Sequence, residues 1–342
     1  MQLLTLTNLD RCTVKAIPPA HRVLSVNEMV ADGLARTPKR LPPILFYDAE
    51  GSRLFEEICK VPEYYLTRTE KAILEQHAQG MVAGCAADID LVELGSGSAL
   101  KTRILLDALF AGGHTVTYRP IDISRSMLER TAAELTEEYA DLVVEAVASD
   151  YDTGLAEVGR RRDRQKGFLF MGSNLGNFQH DEARDFLATV GAAMSPGDFL
   201  LLGVDLVKDQ RLLEAAYDDA AGVTRAFNLN LLTRLNRELG ADFDLQNFRH
   251  KAVWDAENQA IQTYLVSTVQ QTVRLPEIDL RVQFGAGEAM HTESSHKYTL
   301  DGLAGLCREA GLSLTRTWTD DRGWFAVNLV QPVQPTPVSH RR

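Results

Sequence analysis

Several things are scarce in this sequence, and each scarcity removes a class of function. Its 342 residues hold only four cysteines, Cys12, Cys59, Cys85 and Cys307. Their spacings fit no metal or dithiol motif, so they read as free thiols in a reducing compartment. Positive charge is in deficit: 36 basic against 47 acidic residues leave a formal −11. Nucleic acids are held by clustered positive charge, so long polyanions are unsuitable partners. The one basic cluster, Arg160-Arg161-Arg162-Asp163-Arg164, carries an acid and precedes an apolar run, and it reads as a solvated loop. No apolar run is long enough to span a membrane. Asp10 and Arg11 interrupt the N-terminal apolar pieces where a signal core would be continuous. No repeat or low-complexity tract appears. The expectation is a soluble, cytoplasmic, monomeric protein that binds neither nucleic acid nor membrane.

What is present begins with Asp90-Leu-Val-Glu-Leu-Gly-Ser-Gly-Ser98. An apolar strand runs into a turn of small residues and then into a helix over 100–110. Small residues let the backbone approach a ligand closely, and the helix's first free N–H groups point toward it. The strand Val116-Thr-Tyr-Arg-Pro-Ile-Asp122 follows and ends on a carboxylate. A glycine turn with a downstream acid is how an open parallel sheet holds a nucleoside, the acid on the ribose hydroxyls. A dinucleotide fingerprint needs a third small residue where Leu100 stands, and the absence of a following Gly-Lys-Ser/Thr excludes a P-loop. A nucleoside without a pyrophosphate, such as S-adenosylmethionine, fits better.

Residues 90–205 alternate strand and helix. Strands are expected over 91–94, 116–121, 142–147, 167–171 and 199–204, and helices over 100–110, 124–138 and 181–194, with Ser124 as an N-cap. Such alternation means right-handed crossovers and a parallel sheet with helices on both faces. After Asp205 the pattern changes to helices over 208–221 and 228–239 and antiparallel strands over 251–254, 260–270 and 279–284. A helix over 300–309 and strands over 313–318 and 324–329 then return to the sheet as a closing hairpin. The middle segment is therefore an insertion, joined in space by residues near 20 to 60, and Gln331 onward reads as a disordered tail.

Candidate site residues sit at strand ends. Asp122 is the ribose acid. Asp150-Tyr151 stands where an adenine amine and ring would meet a carboxylate and an aromatic face. Lys101 opens the helix after the glycine turn, either meeting the methionine carboxylate or facing solvent. Met171-Gly-Ser-Asn-Leu-Gly-Asn-Phe178 brings two glycines and two amides to a strand end; this suits a polar ligand, although turn chemistry uses the same residues. In Met290-His-Thr-Glu-Ser-Ser-His-Lys-Tyr298, an extended chain turns Glu293 and Ser295 the same way. A carboxylate and a hydroxyl on one face read a ring with two nitrogens. Metal binding by His291, Glu293 and His296 is disfavoured, because the spacing is not His-Glu-x-x-His and an extended chain puts His296 opposite. Tyr47, Tyr64 and Tyr217 read, on pattern alone, as core aromatics with wet hydroxyls as readily as ligand contacts.

Five segments together carry a resemblance: Tyr47-Asp-Ala-Glu-Gly-Ser-Arg-Leu-Phe-Glu-Glu-Ile58, Pro62-Glu-Tyr-Tyr-Leu-Thr-Arg-Thr-Glu70, Glu93-Leu-Gly-Ser-Gly-Ser98, Asn174-Leu-Gly-Asn-Phe178 and Glu293-Ser-Ser-His-Lys-Tyr298. In order and spacing the chain resembles the histidine-specific S-adenosylmethionine-dependent methyltransferases, which supply the L-histidine Nα-methyltransferase of ergothioneine biosynthesis. The resemblance covers roughly residues 20 to 330, and the tyrosine-rich segment with Thr-Arg-Thr-Glu is far more specific than the glycine turn. It implies an α/β, Rossmann-like class I methyltransferase, with a mostly parallel sheet, helices on both faces and an inserted α+β substrate-binding domain. The implied division is an N-terminal extension (1–19), a substrate-binding domain (20–65 and 206–295), an S-adenosylmethionine-binding domain (66–205 and 296–330) and a tail (331–342). Mapped by motif, Tyr64, Asn177 and Tyr217 would hold the carboxylate and α-amine of L-histidine, with Tyr65 the adjacent alternative to Tyr64. Tyr47 would lie near the methylated nitrogen, and Glu293 and Ser295 would read the imidazole. Gly95, Gly97, Lys101, Asp122, Asp150 and Tyr151 would hold the methyl donor, with no metal required. Leu66 stands where relatives usually carry proline, which touches loop stiffness and not chemistry.

The implied reaction is three successive methyl transfers to the α-nitrogen, giving hercynine. An N-methyltransferase of tryptophan-like amino acids is the first competitor, and Glu293 with Ser295 argues for histidine. A catalytically inactive binding protein of the same fold is the second, and the intact Asp122, glycine turn and polar clusters argue against it. Leu100 disfavours a nucleotide-dependent oxidoreductase.

Overall fold

The computed structural model describes residues 11–20, 22–97 and 99–333. A short strand, β1 (Cys12–Ala16), and the helix α1 (Val26–Ala35) precede α2 (Ala49–Ile58) and α3 (Leu66–Val82). Strands and helices then alternate: β2 (Asp88–Leu94), α4 (Leu100–Ala111), β3 (Thr115–Asp122), α5 (Arg125–Glu138), β4 (Val143–Ala148), α6 (Tyr151–Val158), β5 (Gln165–Phe170), α7 (His180–Ala193) and β6 (Phe199–Asp205). Helices α8 (Gln210–Tyr217) and α9 (Val223–Leu239) lead into β7 (Phe248–Asp255), β8 (Ala260–Ser267), β9 (Gln271–Leu275), β10 (Leu280–Phe284) and β11 (Ala289–His296). Helix α10 (Leu300–Glu309) and strands β12 (Leu312–Thr319) and β13 (Phe325–Pro332) follow.

The main sheet has the order β1-β4-β3-β2-β5-β6-β13-β12. Neighbours from β1 to β6 run parallel, whereas β13 is antiparallel to both β6 and β12. The chain steps outward from β2 to β3 and β4, then returns to β5 on the other side of β2. That reversal opens a crevice at the carboxyl ends of β2 and β5, where such sheets bind ligands. Apolar residues fill both faces. Leu91 and Tyr118 pack with Ile73, Leu105 and Leu128 of α3, α4 and α5. Val92 and Ile121 pack with Leu155, Leu187 and Leu303 of α6, α7 and α10. Strand β6 is buried at all seven of its positions, as a central strand covered twice must be.

The smaller layer holds a three-stranded antiparallel sheet, β11-β8-β7, and a ribbon of β9 with β10. The N-terminal segment joins it: α2 packs on α9, and Leu41 N–H donates to the carbonyl of His291 on β11 at 2.9 Å.

The structure departs from expectation at particular places. Of residues 1–19, read as an extension, Cys12–Ala16 form the edge strand β1, paired with β4. Gln331 and Pro332, read as the start of a tail, belong to β13 and pair with Ser313 and Leu312; residues 334–342 lie outside the described residues. Ser124 occupies the N-cap position of α5 without a side-chain cap bond, and its own N–H donates to Asp122 Oδ1 at 2.9 Å. Helix α6 is additional, and Asp150 caps it by accepting the Thr153 N–H at 2.7 Å. The strand expected over 260–270 stops at Ser267, and β9 is a separate element.

Helix α9 begins at Val223, earlier than expected. Gly222 takes φ +75°, and Asp219 accepts the N–H groups of Val223 (3.0 Å) and Thr224 (2.7 Å). Asp219→Ala therefore removes an N-terminal cap, and its expected cost is about 1–2 kcal/mol of stability in urea denaturation. An unchanged midpoint would contradict that assignment.

Candidate active site

The crevice at β2 is lined by backbone. Gly95 and Gly97 both lie at positive φ, +72° and +48°, where a side chain is strained. A Cβ on Gly95 would stand 2.6 Å from the Tyr151 hydroxyl, so this ring reaches across from α6 to the turn. Asp122 ends β3 half-buried. Desolvation raises its carboxyl above its ordinary value, against the N–H groups of Ser124, Gly97 and Ile123. Leu100 and Ile123 flank these groups with 67% and 63% of their surface exposed. A glycine turn open to close approach, a half-buried acid and bare apolar side chains fit a nucleoside with a polar tail. Beneath the turn, Glu93 is pushed up to about 7 by burial and accepts from Thr102 Oγ1 (2.6 Å) and from the Tyr118 hydroxyl.

Lys101 is not solvent-facing: its Nζ lies 2.5 Å from Oε2 of Glu70, the fully buried last residue of Thr-Arg-Thr-Glu. Glu70 also accepts the Gly172 N–H at 2.9 Å. One carboxylate thus ties α3, the start of α4 and the loop after β5 together. A Cβ on Gly172 would stand 3.3 Å from Lys101 Nζ, so the ammonium lies where the two halves of the site meet.

A cleft of about 540 Å³, its mouth included, opens beside that point. Tyr47, Phe55, Tyr64, Asn174, Asn177, Tyr217, Phe227, Glu293 and Ser295 are among its lining residues. Tyr47 lies at the mouth, 46% exposed, with its ring edge-on to Phe55 and Phe227 at 5.9 Å. Tyr64 and Tyr217 meet edge-on at 6.2 Å. Burial pushes the Glu293 carboxyl up to about 7, with Lys297 pulling the other way.

Behind the cleft lies a buried ionic network. Lys297 Nζ donates to Tyr217 Oη (2.8 Å) and Ser295 Oγ (2.7 Å) and stands 3.1 Å from Asp205 Oδ2. Asp205 also accepts from the Tyr65 hydroxyl at 2.8 and 3.0 Å and from Lys208 at 2.6 Å. Burial alone would lower Lys297, but Tyr217 and Asp205 hold it above its ordinary value. Lys208, with the same carboxylate to share, is pushed down to about 8 by burial.

The structure thus brings Tyr47, Tyr64, Asn177, Tyr217, Glu293 and Ser295 to one cleft, and Gly95, Gly97, Asp122, Asp150 and Tyr151 to the crevice beside it. Of the adjacent tyrosines, Tyr64 faces the cleft, whereas Tyr65 turns to Asp205 and packs on Trp324 at 5.1 Å. His291, Glu293 and His296 do not converge. A bulge between His291 and Glu293 turns His291 to Gln262 Oε1 (2.8 Å) and Ser294 Oγ (3.1 Å), and His296 meets the Asn258 carbonyl at 3.1 Å. The bulge defeats period-two reasoning across it and preserves it beyond it, where Glu293, Ser295 and Lys297 alternate. Sequence reading missed Lys297, Asp205, Glu70 and the aromatic walls Phe55 and Phe227. The same two-residue alternation could have found Lys297; the other partners are distant in the chain and left no local signal.

The family model described as "Histidine-specific methyltransferase, SAM-dependent" matches residues 26–332. A histidine N-alpha-methyltransferase of Mycobacterium tuberculosis is 44% identical over 306 residues, 90% of this chain and 94% of that protein. One of Mycolicibacterium smegmatis is 44% identical over 303 residues, 88% of this chain and 92% of that protein. Ergothioneine biosynthesis protein 1 of Neurospora crassa is 32% identical over 82% of this chain and 32% of its own, longer length. No helix among the described residues is long and apolar enough to cross a membrane.

Glu293 generates a prediction about stability. Its folded pKa of about 7 lies above the ordinary 4.5, so its favourable contribution is complete below about pH 4.5 and is lost as pH rises through 7. Glu293→Gln removes a buried charge and is expected to stabilise the ligand-free protein at pH 8 by roughly 1–3 kcal/mol, with little change near pH 4.5. Denaturation at both pH values measures it, and equal effects at the two would refute the elevated pKa.

Proposed function

The chain belongs to the histidine-specific, S-adenosylmethionine-dependent methyltransferases, and from that premise we propose that it trimethylates the α-nitrogen of L-histidine to hercynine, a step of ergothioneine biosynthesis. The observation that carries the reading is a carboxylate and a hydroxyl, Glu293 and Ser295, lining the same cleft as Tyr47, Tyr64 and Asn177. An acceptor and a hydroxyl together suit the two ring nitrogens of imidazole; indole, with a single N–H, would leave one of them unmatched. Residues 20–65 and 206–295 serve the amino acid, and 66–205 with 296–330 serve the donor. We place the reaction in the cytoplasm, on free L-histidine, by a monomer.

The donor supplies, when bound, a methyl group already activated by its sulfonium charge. Gly95, Gly97, Lys101, Asp122, Asp150 and Tyr151 hold it. One Asp150 oxygen caps α6 and the other is left for the adenine amine. Tyr64, Asn177 and Tyr217 grip the carboxylate and α-amine, and Tyr47 borders the nitrogen to be methylated. Holding amine and methyl carbon in line contributes roughly 7–11 kcal/mol to lowering the barrier. The amine must react as the free base. Hydroxyl and amide oxygens accept its N–H without fixing the cation as a nearby carboxylate would. Each transfer removes an N–H, so the lasting grip falls to the substrate's carboxylate and ring.

Mass spectrometry of histidine with S-adenosylmethionine should show gains of one, two and three methyl groups; unmodified histidine alongside a methylated tryptophan would overturn the reading. A buried hydrogen bond to a charged group is worth about 1.5–3 kcal/mol, so Glu293→Ala should weaken histidine binding about ten- to a hundredfold by calorimetry. Asn177→Ala should lower both affinity and turnover, and wild-type values for both would remove its assigned role.

A further inference from the structure

Lys297 touches neither end of the reaction, yet its geometry constrains the groups that do. Its side chain is fully buried, and its ammonium has three hydrogens and no lone pair. It has three acceptors in range: Tyr217 Oη at 2.8 Å, Ser295 Oγ at 2.7 Å and Asp205 Oδ2 at 3.1 Å. Both hydroxyl oxygens therefore accept from Lys297. They also lie 2.7 Å from each other, so one hydroxyl hydrogen is used between them. The phenol, the stronger acid, is the better donor of the two. The Ser295 oxygen then accepts twice, and its own hydrogen is left for the cleft that it lines.

We infer that Lys297 is a positioning residue for ring recognition: it occupies one lone pair of Ser295 Oγ, so that with the Tyr217 phenol donating to the other, Ser295 meets the ligand as a donor and not as an acceptor. The inference rests on the proposed reading of the cleft as a histidine site. Glu293, on the same face of the chain, is the acceptor. With Glu293 ionised, an acceptor beside an obligate donor matches the neutral imidazole, with one N–H and one bare nitrogen. It opposes the imidazolium, which would point an N–H at the serine's hydrogen, and it opposes rings that lack an accepting nitrogen.

A double-mutant cycle on histidine binding tests this, using Ser295→Ala, Lys297→Met and the two combined, with S-adenosylmethionine affinity and urea denaturation as checks on the fold. Lys297→Met should weaken histidine tenfold or more in the wild-type background and by less than threefold when Ser295 is already alanine. Lys297→Gln, which keeps an N–H donor, should recover part of the loss. Additive effects, with glutamine no better than methionine, would reduce Lys297 to a structural role and overturn the inference while leaving the histidine reading intact. If Ser295→Ala alone leaves histidine binding unchanged, the ring-reading assignment itself falls. Should Lys297→Met not fold, the pair Asp205→Asn/Lys297→Met removes both charges together, and the same cycle with Ser295→Ala decides.

Discussion

A single carboxylate, Asp205, joins the parts of this protein that must stay in register. It ends β6 wholly buried, where an uncompensated charge would cost several kcal/mol. Three partners compensate it: Tyr65 at the start of α3, Lys208 just after β6 and Lys297 just after β11. The main sheet, the helix after the tyrosine-rich segment and the segment just after β11 therefore meet at one point. Tyr65 and Asp205 are 140 residues apart in the chain. Removing one partner leaves charge without its complement, so the network favours one relative placement of the two layers.

Glu70 plays the parallel role at the other edge of the site. It is fully buried and holds Lys101 and the Gly172 N–H together. It fits only because β6 makes room: a Cβ on Gly203 would lie 2.0 Å from Glu70 Oε1. The glycine turn and the cleft are thus linked by a residue that touches neither candidate ligand in the proposed assignment. The last residue of Thr-Arg-Thr-Glu is a fixed tie between the start of α4 and the loop after β5.

Much of the fold was legible from local pattern. Alternating strands and helices, the glycine turn and Asp122 at a strand end are properties of short stretches, and the parallel order follows from right-handed crossovers. Expectation failed where an unforeseen partner intervened. Helix α9 starts a turn early under the Asp219 carboxylate, and the edge strand β1 pairs along the edge that β4 offers. Pattern alone also left Lys101 undecided between a ligand and solvent, and neither alternative includes Glu70.

By itself, the sequence determined which chemistry stands at which strand end, because turn geometry and the two-residue period act over a few residues at a time. Tertiary structure alone decided that Tyr64 faces the cleft while Tyr65 turns to Asp205, that a bulge sends His291 away from Glu293, and that Lys297 donates to both Tyr217 and Ser295. These outcomes depend on partners brought together by packing and on a one-residue register shift, and neither is encoded within the segment that shows the effect.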